Sequence, residues 1–212
     1  MMRRLAILVV VIGALAMAPN AQAVPLFHLH LGSNGVFQDF FVGPVGTFAG
    51  AVDKWNINVT TGFAFGSNPI IDLNSIDATN VLGALPLTIS WSATDFAGPI
   101  SNFISGIGGT IMNGGTLTYQ AWADAGNGLD GMVSPIGALQ AFGPGAFSGT
   151  VSGGGPVPGL YSLTQQVVLT ATIKGTTSFD AAVDAVPEPG SMLLLGTGLI
   201  GLAGAARRRM KK

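Results

Sequence analysis

Residues 55–60 read Trp55-Asn56-Ile57-Asn58-Val59-Thr60. Large apolar and small polar side chains alternate at every step. An extended backbone therefore puts Trp55, Ile57 and Val59 on one face and Asn56, Asn58 and Thr60 on the other, the mark of a half-buried strand. Thr116-Leu117-Thr118-Tyr119-Gln120-Ala121 repeats the pattern with Leu117 and Tyr119 inward. Leu163 to Ile173, with Val167, Leu169, Ala171 and Ile173 in phase, predicts the longest strand. Shorter candidates are Val36–Phe41, Phe63–Phe65, Leu87–Trp91 and Thr176–Ala181. Gly, Pro and Asn clusters separate them, the plainest being Ser152-Gly153-Gly154-Gly155-Pro156-Val157-Pro158-Gly159. Seven or eight short strands with turns between, and no capped amphipathic stripe, predict an all-β fold: a single β-sandwich or jelly-roll-like domain. The region from Val24 to Val186 is long enough to bury one core.

Composition supports this reading. Gly (32) and Pro (12) make up about a fifth of the 212 residues, while charged residues are only 9%, too few to clothe the wet faces of long helices. The absence of cysteine excludes a disulfide scaffold, a zinc ribbon and a thiol nucleophile together. The formal charge of −1 hides an uneven distribution. Seven of the nine basic residues sit at the two ends, and between Val24 and Val186 two Lys face nine Asp, a net charge of −7. Such a surface repels a phosphate backbone, so nucleic-acid binding is excluded.

Both ends carry processing signals. Met1-Met2-Arg3-Arg4 is a basic start, Leu5 to Ala18 is an apolar run, and Ala21-Gln22-Ala23 places small residues where signal peptidase reads them. Residues 1–23 are thus read as a signal peptide cleaved after Ala23. At the other end Met192 to Ala206 is free of charge and is followed by Arg207-Arg208-Arg209-Met210-Lys211-Lys212. At about 1.5 Å per residue this helix reaches ~22 Å, short of a ~30 Å hydrocarbon core, so it spans only with snorkelling and local thinning. The basic cluster stays on the cytoplasmic side, which puts the middle of the chain across the membrane. Just before it, Val186-Pro187-Glu188-Pro189-Gly190 reads as a stiff, exposed spacer holding the only Glu of the chain.

Pro187-Glu188-Pro189, then the apolar run at 192–206, then Arg207, Arg208 and Arg209 resemble the PEP-CTERM sorting signal of Gram-negative bacteria. The resemblance implies a substrate of the membrane enzyme exosortase. It implies export by the general secretory route, transient anchoring in the inner membrane, cleavage at or near the Pro-Glu-Pro motif, and delivery to the cell surface or extracellular matrix of an exopolysaccharide producer. The expected organisation is a signal peptide at 1–23, a passenger domain at 24–184 and the sorting signal at 185–212. Residues from Ala182 onward read as linker, with a last strand reaching Asp184 at the furthest.

The passenger offers little catalytic chemistry. No Ser stands in a Gly-x-Ser-x-Gly elbow. His28 and His30 are the only imidazoles; a strand there points both to one face as two potential metal ligands, although an edge strand with solvated histidines is the plainer expectation. Gly126 to Gly131 matches Gly-x-Gly-x-x-Gly but lacks the strand-turn-helix setting that gives the pattern meaning. The same loop holds Asp124, Asn127 and Asp130, hard oxygen donors among glycines, which form a candidate Ca²⁺ site. Asp72, Asn74 and Asp77 form a weaker cluster of the same type, and Asn58-Val59-Thr60 is a glycosylation sequon. Trp55 and Trp91 fall on the apolar registers of their strands and belong to the core. Trp122 falls on the opposite register from Leu117, Tyr119 and Ala121, and is the candidate sugar-stacking residue. No other cofactor is expected. The expected function is a non-enzymatic, exopolysaccharide- or biofilm-associated structural or adhesive protein. The alternatives are a secreted carbohydrate-binding module, or an Asp-dependent secreted hydrolase.

Overall fold

In the computed structural model, residues 25–40, 46–64, 70–187 and 197–198 are described. The signal peptide with Ala21 and Ala23, Glu188 and Pro189, most of the 192–206 run, and Arg207 to Arg209 lie outside them. Among the described residues no helix is long and apolar enough to cross a membrane.

The strands, in chain order, are β1 (Phe27–Ser33), β2 (Val36–Phe40), β3 (Gly46–Val52), β4 (Trp55–Ala64), β5 (Ile70–Asn80), β6 (Leu87–Ala97), β7 (Ile100–Ile111), β8 (Leu117–Asp124), β9 (Ser134–Pro135), β10 (Gln140–Phe142), β11 (Gly145–Gly153), β12 (Leu160–Leu169) and β13 (Gly175–Pro187). They form two antiparallel sheets. The first runs β10-β8-β12-β6-β1-β2, with β9 also on β8; the second runs β11-β7-β13-β5-β4-β3. The predicted all-β sandwich is therefore the observed fold.

Period-two alternation explains why the sheets stack. Trp55, Ile57 and Val59 of β4 are buried, whereas Asn56 and Asn58 are exposed. Leu117, Tyr119, Ala121 and Ala123 of β8 face the same core, as do Leu87, Ile89, Trp91 and Ala93 of β6. Trp55, Trp91, Tyr119, Tyr161, Phe96 and Phe103 are the largest fully buried side chains. The aromatic groups pack in pairs: Phe96 stacks on Tyr161 at 5.5 Å between ring centroids, and Phe103 meets Tyr161 edge-on at 5.4 Å. One polar chain crosses the core. Ser105 of β7 donates to the Tyr119 hydroxyl (2.9 Å), which donates to Oε1 of Gln165 on β12 (3.0 Å). Burial pushes the Tyr119 hydroxyl pKa far upward, so it remains a donor at any physiological pH.

Three expectations need correction. The strand predicted over Leu163–Ile173 ends at Leu169, and Ile173 is 55% exposed. Beyond Leu169 the amides of Thr170, Thr172 and Ile173 bond to Thr116 and Asn113 carbonyls, which bends the chain round that turn. The linker read from Ala182 onward is strand: β13 pairs with β7 as far as Pro187 opposite Ile100. Ala185 is buried there and Ser101 Oγ donates to the Val186 carbonyl at 3.0 Å. Finally, β1 is not an edge strand. Asn34 and Gly35, with φ of 52° and 76°, close a two-residue hairpin that adds β2 outside it.

Candidate functional site

The outer face of the first sheet carries hydroxyl side chains that are buried all the same. Ser90, Ser92 and Thr94 of β6 and Ser162 and Thr164 of β12 are each under 5% exposed, and the segment after β8 lies across Ser92 and Ser162. Backbone laid on a sheet needs hydrogen-bond partners beneath it, and Ser92 and Ser162 provide them. The Asp130 amide donates to Ser92 Oγ (2.9 Å), and Ser162 Oγ donates to the Gly128 carbonyl (2.6 Å). Asn127 and Asp95 exchange two bonds: the Asp95 amide donates to Asn127 Oδ1 and Asn127 Nδ2 donates to Asp95 Oδ1, both at 2.8 Å.

This roof brings Asp130 onto β1. On that strand Phe27, Leu29 and Leu31 point into the core, so His28 and His30 point out. The hairpin register sets His30 opposite Asp39 of β2. Nδ1 of His30 is 2.6 Å from Asp39 Oδ1; Nε2 of His28 is 3.1 Å from the same oxygen; Nδ1 of His28 is 2.6 Å from Asp130 Oδ2. The His28 side chain is only 11% exposed, His30 29% and Asp39 47%. Hydrogen bonding from His30 holds the Asp39 carboxyl below its ordinary pKa against the opposing desolvation, with a smaller contribution from His28. One ligand-capable atom from each of His28, His30 and Asp39 lies within 4.8 Å of the other two, a grouping able to hold a metal ion. The histidines expected to be solvated at an edge are thus half-covered, and each faces a carboxylate.

The candidate Ca²⁺ residues are drawn to different partners. Asp124 turns inward on its own loop, its two oxygens accepting from the Gly126 amide (2.7 Å) and the Gly128 amide (3.1 Å). Asn127 pairs with Asp95 and Asp130 with His28. Asp124 caps its own turn, as Asx residues commonly do, and Asn127 and Asp130 each have a side-chain partner on another strand. Trp122, expected to be exposed, is half-buried on the outer face, paired across strands with Thr164 and Pro135. Trp55 and Trp91 are core residues, as their registers imply.

A second polar region occupies the outer face of the other sheet. Asp72 of β5 sits opposite Ala182 of β13, with Asp180 and Asp184 two residues to either side of Ala182. Together with Gly106 and Gly108 they line an open groove of about 320 Å³. Partial burial, then the charges of Asp180 and Asp184, raise the Asp72 pKa. Asp72 and Asp77, grouped in the sequence, line different grooves here.

Comparison with known proteins adds one identification. Residues 185–209 match the family model of the PEP-CTERM protein-sorting motif, so the chain carries that motif, with Pro187 at the end of β13 as its first Pro. No curated protein matches the sequence. Among solved structures, the enzymatically active domain of tailspike protein 4 from bacteriophage CBA120 superposes with a TM-score of 0.38 at 12% identity, over 65% of this chain and 20% of that one. The chain therefore spans a fifth of that domain's length. The CBM22-1 xylan-binding domain of Paenibacillus barcinonensis Xyn10C gives 0.36 at 12% identity, over 76% and 94%. TmCBM61 in complex with β-1,4-galactotriose gives 0.34 at 9%, over 63% and 90%.

Proposed function

We propose that this chain, carrying a PEP-CTERM sorting motif, is an exported, exosortase-processed protein of the cell surface or extracellular matrix. Its sandwich serves there as a non-enzymatic structural or adhesive body within exopolysaccharide. The sorting motif at residues 185–209 is the observation that supports this reading. An acidic sandwich with a core continuous across both sheets suits a role outside the cell, where a folded body must persist unaided. The test is the intact mass and C-terminal peptide of protein recovered from the native host's surface and culture fluid. A product running from Val24 to a terminus near Pro187–Gly190 is expected. Full-length protein still ending in Lys212 and held in the inner membrane would overturn the sorting assignment and the matrix role with it.

A carbohydrate-binding role is the second reading, favoured by the partly exposed Trp122 beside Gln120 on the outer face of the first sheet. An indole there offers a flat apolar surface to a sugar ring. Co-sedimentation with the host polysaccharide separates the two: loss of retention in Trp122→Ala with unchanged circular dichroism supports direct sugar contact, whereas unchanged retention removes it.

A further inference from the structure

We propose that His28, His30 and Asp39 bind a first-row transition-metal dication of the Zn²⁺ type on the outer face of the first sheet, with Asp130 fixing the orientation of His28. The claim rests on the geometry of this cluster and is independent of the sorting motif and of any sugar binding.

Zn²⁺ bound tetrahedrally at about 2.0–2.1 Å to N and O holds its ligand atoms roughly 3.3 Å apart. His28 Nε2 and Asp39 Oδ1 already stand 3.1 Å apart, His30 Nδ1 is 2.6 Å from that oxygen, and all three lie within 4.8 Å of one another. To reach a metal's spacing, the His30–Asp39 pair would open by a few tenths of an ångström and the two histidine nitrogens would need to lie at a like distance. The strands enforce this nearness: β1 and β2 are tied by an Asn34-Gly35 turn, and the register places His30 directly across from Asp39. Sites built on paired strands hold their geometry better than sites on loops.

His28 stands between two acids. Its two ring nitrogens each face a carboxylate, Nδ1 toward Asp130 and Nε2 toward Asp39. A neutral imidazole has a single N–H. With that hydrogen on Nδ1, the contact to Asp130 is a strong bond, and Nε2 turns a lone pair toward the Asp39 oxygen. Two lone pairs at 3.1 Å repel, and a cation between them relieves this, either a second proton on the ring or a metal ion. A metal ion there accepts both, and Asp130-His28-metal becomes the carboxylate–histidine–metal relay that sets tautomer and raises ligand basicity. Asp130 suits this part because its own amide is held by Ser92 Oγ.

Charge and ligand type identify the ion. With both imidazoles in the neutral form that a metal ion requires, the two carboxylates leave a charge of −2 for a dication to balance, part of the passenger's −7. Imidazole nitrogen selects Zn²⁺, Ni²⁺ or Cu²⁺, whereas Ca²⁺ and Mg²⁺ prefer oxygen alone. Three protein ligands leave a fourth position on the side where Asp39 and His30 are exposed, open to water or to an outside oxygen ligand.

The test uses the full chain in detergent, stripped with chelator and titrated with Zn²⁺ by calorimetry, and Zn²⁺-dependent thermal unfolding as a second readout. The expected result is one saturable ion per chain and a Zn²⁺-raised midpoint. Both should be lost in His30→Gln and in Asp39→Asn, and be unaffected in Asp184→Asn on the other sheet. Asp130→Asn should weaken binding by about 10–100-fold without removing it, the usual effect of a partner behind a ligand. His30 and Asp39 are both partly exposed, so these variants should keep the wild-type circular dichroism. No saturable Zn²⁺ binding, or binding that survives in His30→Gln and Asp39→Asn, would overturn the proposal.

Discussion

Asp72 shows how one residue's setting becomes a pH dependence. Partial burial, followed by repulsion from Asp180 and Asp184, lifts its folded pKa above the ordinary carboxylate value. A raised acid favours the folded state when protonated. Its contribution is therefore fully present below the unfolded pKa and is lost as pH rises through the folded one. Asp72→Asn should accordingly raise the thermal midpoint at pH 7, by about 2–4 °C for each kcal/mol of relieved repulsion in a chain of this size. The gain should fade below the ordinary carboxylate range, where Asp72 is itself neutral. A thermal unfolding series across pH reads both limbs; a gain that persists unchanged at acid pH would place the effect elsewhere. Added salt should shrink the gain at neutral pH, since exposed Asp180 is screened from its neighbours.

At the scale of elements, the β1–β2 hairpin decides most. Gly35 sits at φ 76° with open space where a Cβ would stand, so Gly35→Ala isolates the backbone cost. That cost should be about 1–2 kcal/mol, the penalty of a left-handed conformation for an L residue, read by denaturant unfolding; no change would mean that the turn relaxes freely. The hairpin also marks the limit of what alternation reveals. Alternation alone finds β4, β8 and the start of β12, because one face of each is core and the other is wet. It also puts His28 and His30 on one side of a strand. The partner Asp39 follows only on counting outward from Asn34-Gly35, a turn whose preference for positive φ fixes the register. The stretch Asp180-Ala181-Ala182-Val183-Asp184 likewise alternates and could have extended β13; its nearness to the Pro-Glu-Pro motif disguised it as linker. Asp130 was beyond reach, since it meets His28 across 102 residues of chain. The buried hydroxyls of β6 and β12 were equally hidden: Ser-Thr alternation reads as a wet face, yet these side chains are buried, with the segment after β8 folded over Ser92 and Ser162. Strand β7 (Ile100–Ile111), rich in Gly and Ser, has too weak an alternation to announce itself.

For the whole molecule, the decisive feature is where the body stops. Strand β13 lies between β7 and β5 and runs to Pro187, so folded sheet and sorting motif overlap at 185–187. A chain ending after Pro187 should unfold at the same temperature as one carrying the residues beyond it. One ending after Asp184 should unfold several degrees lower, because it loses buried Ala185, the pairs from Phe103 to Ile100, and the Ser101–Val186 bond. Equal midpoints would show that the strand ends energetically at Asp184. The same arrangement has a mechanical meaning. Whatever tethers the protein through its sorting segment pulls on a strand flanked on both sides, and antiparallel hydrogen bonds lie across the strand axis. A pull along that axis loads the β7 ladder first, over 185–187, and from Asp184 inward it shears the β7 and β5 ladders together. Tension on such a tether would enter the body through a strand whose Val183 and Ala185 side chains are core.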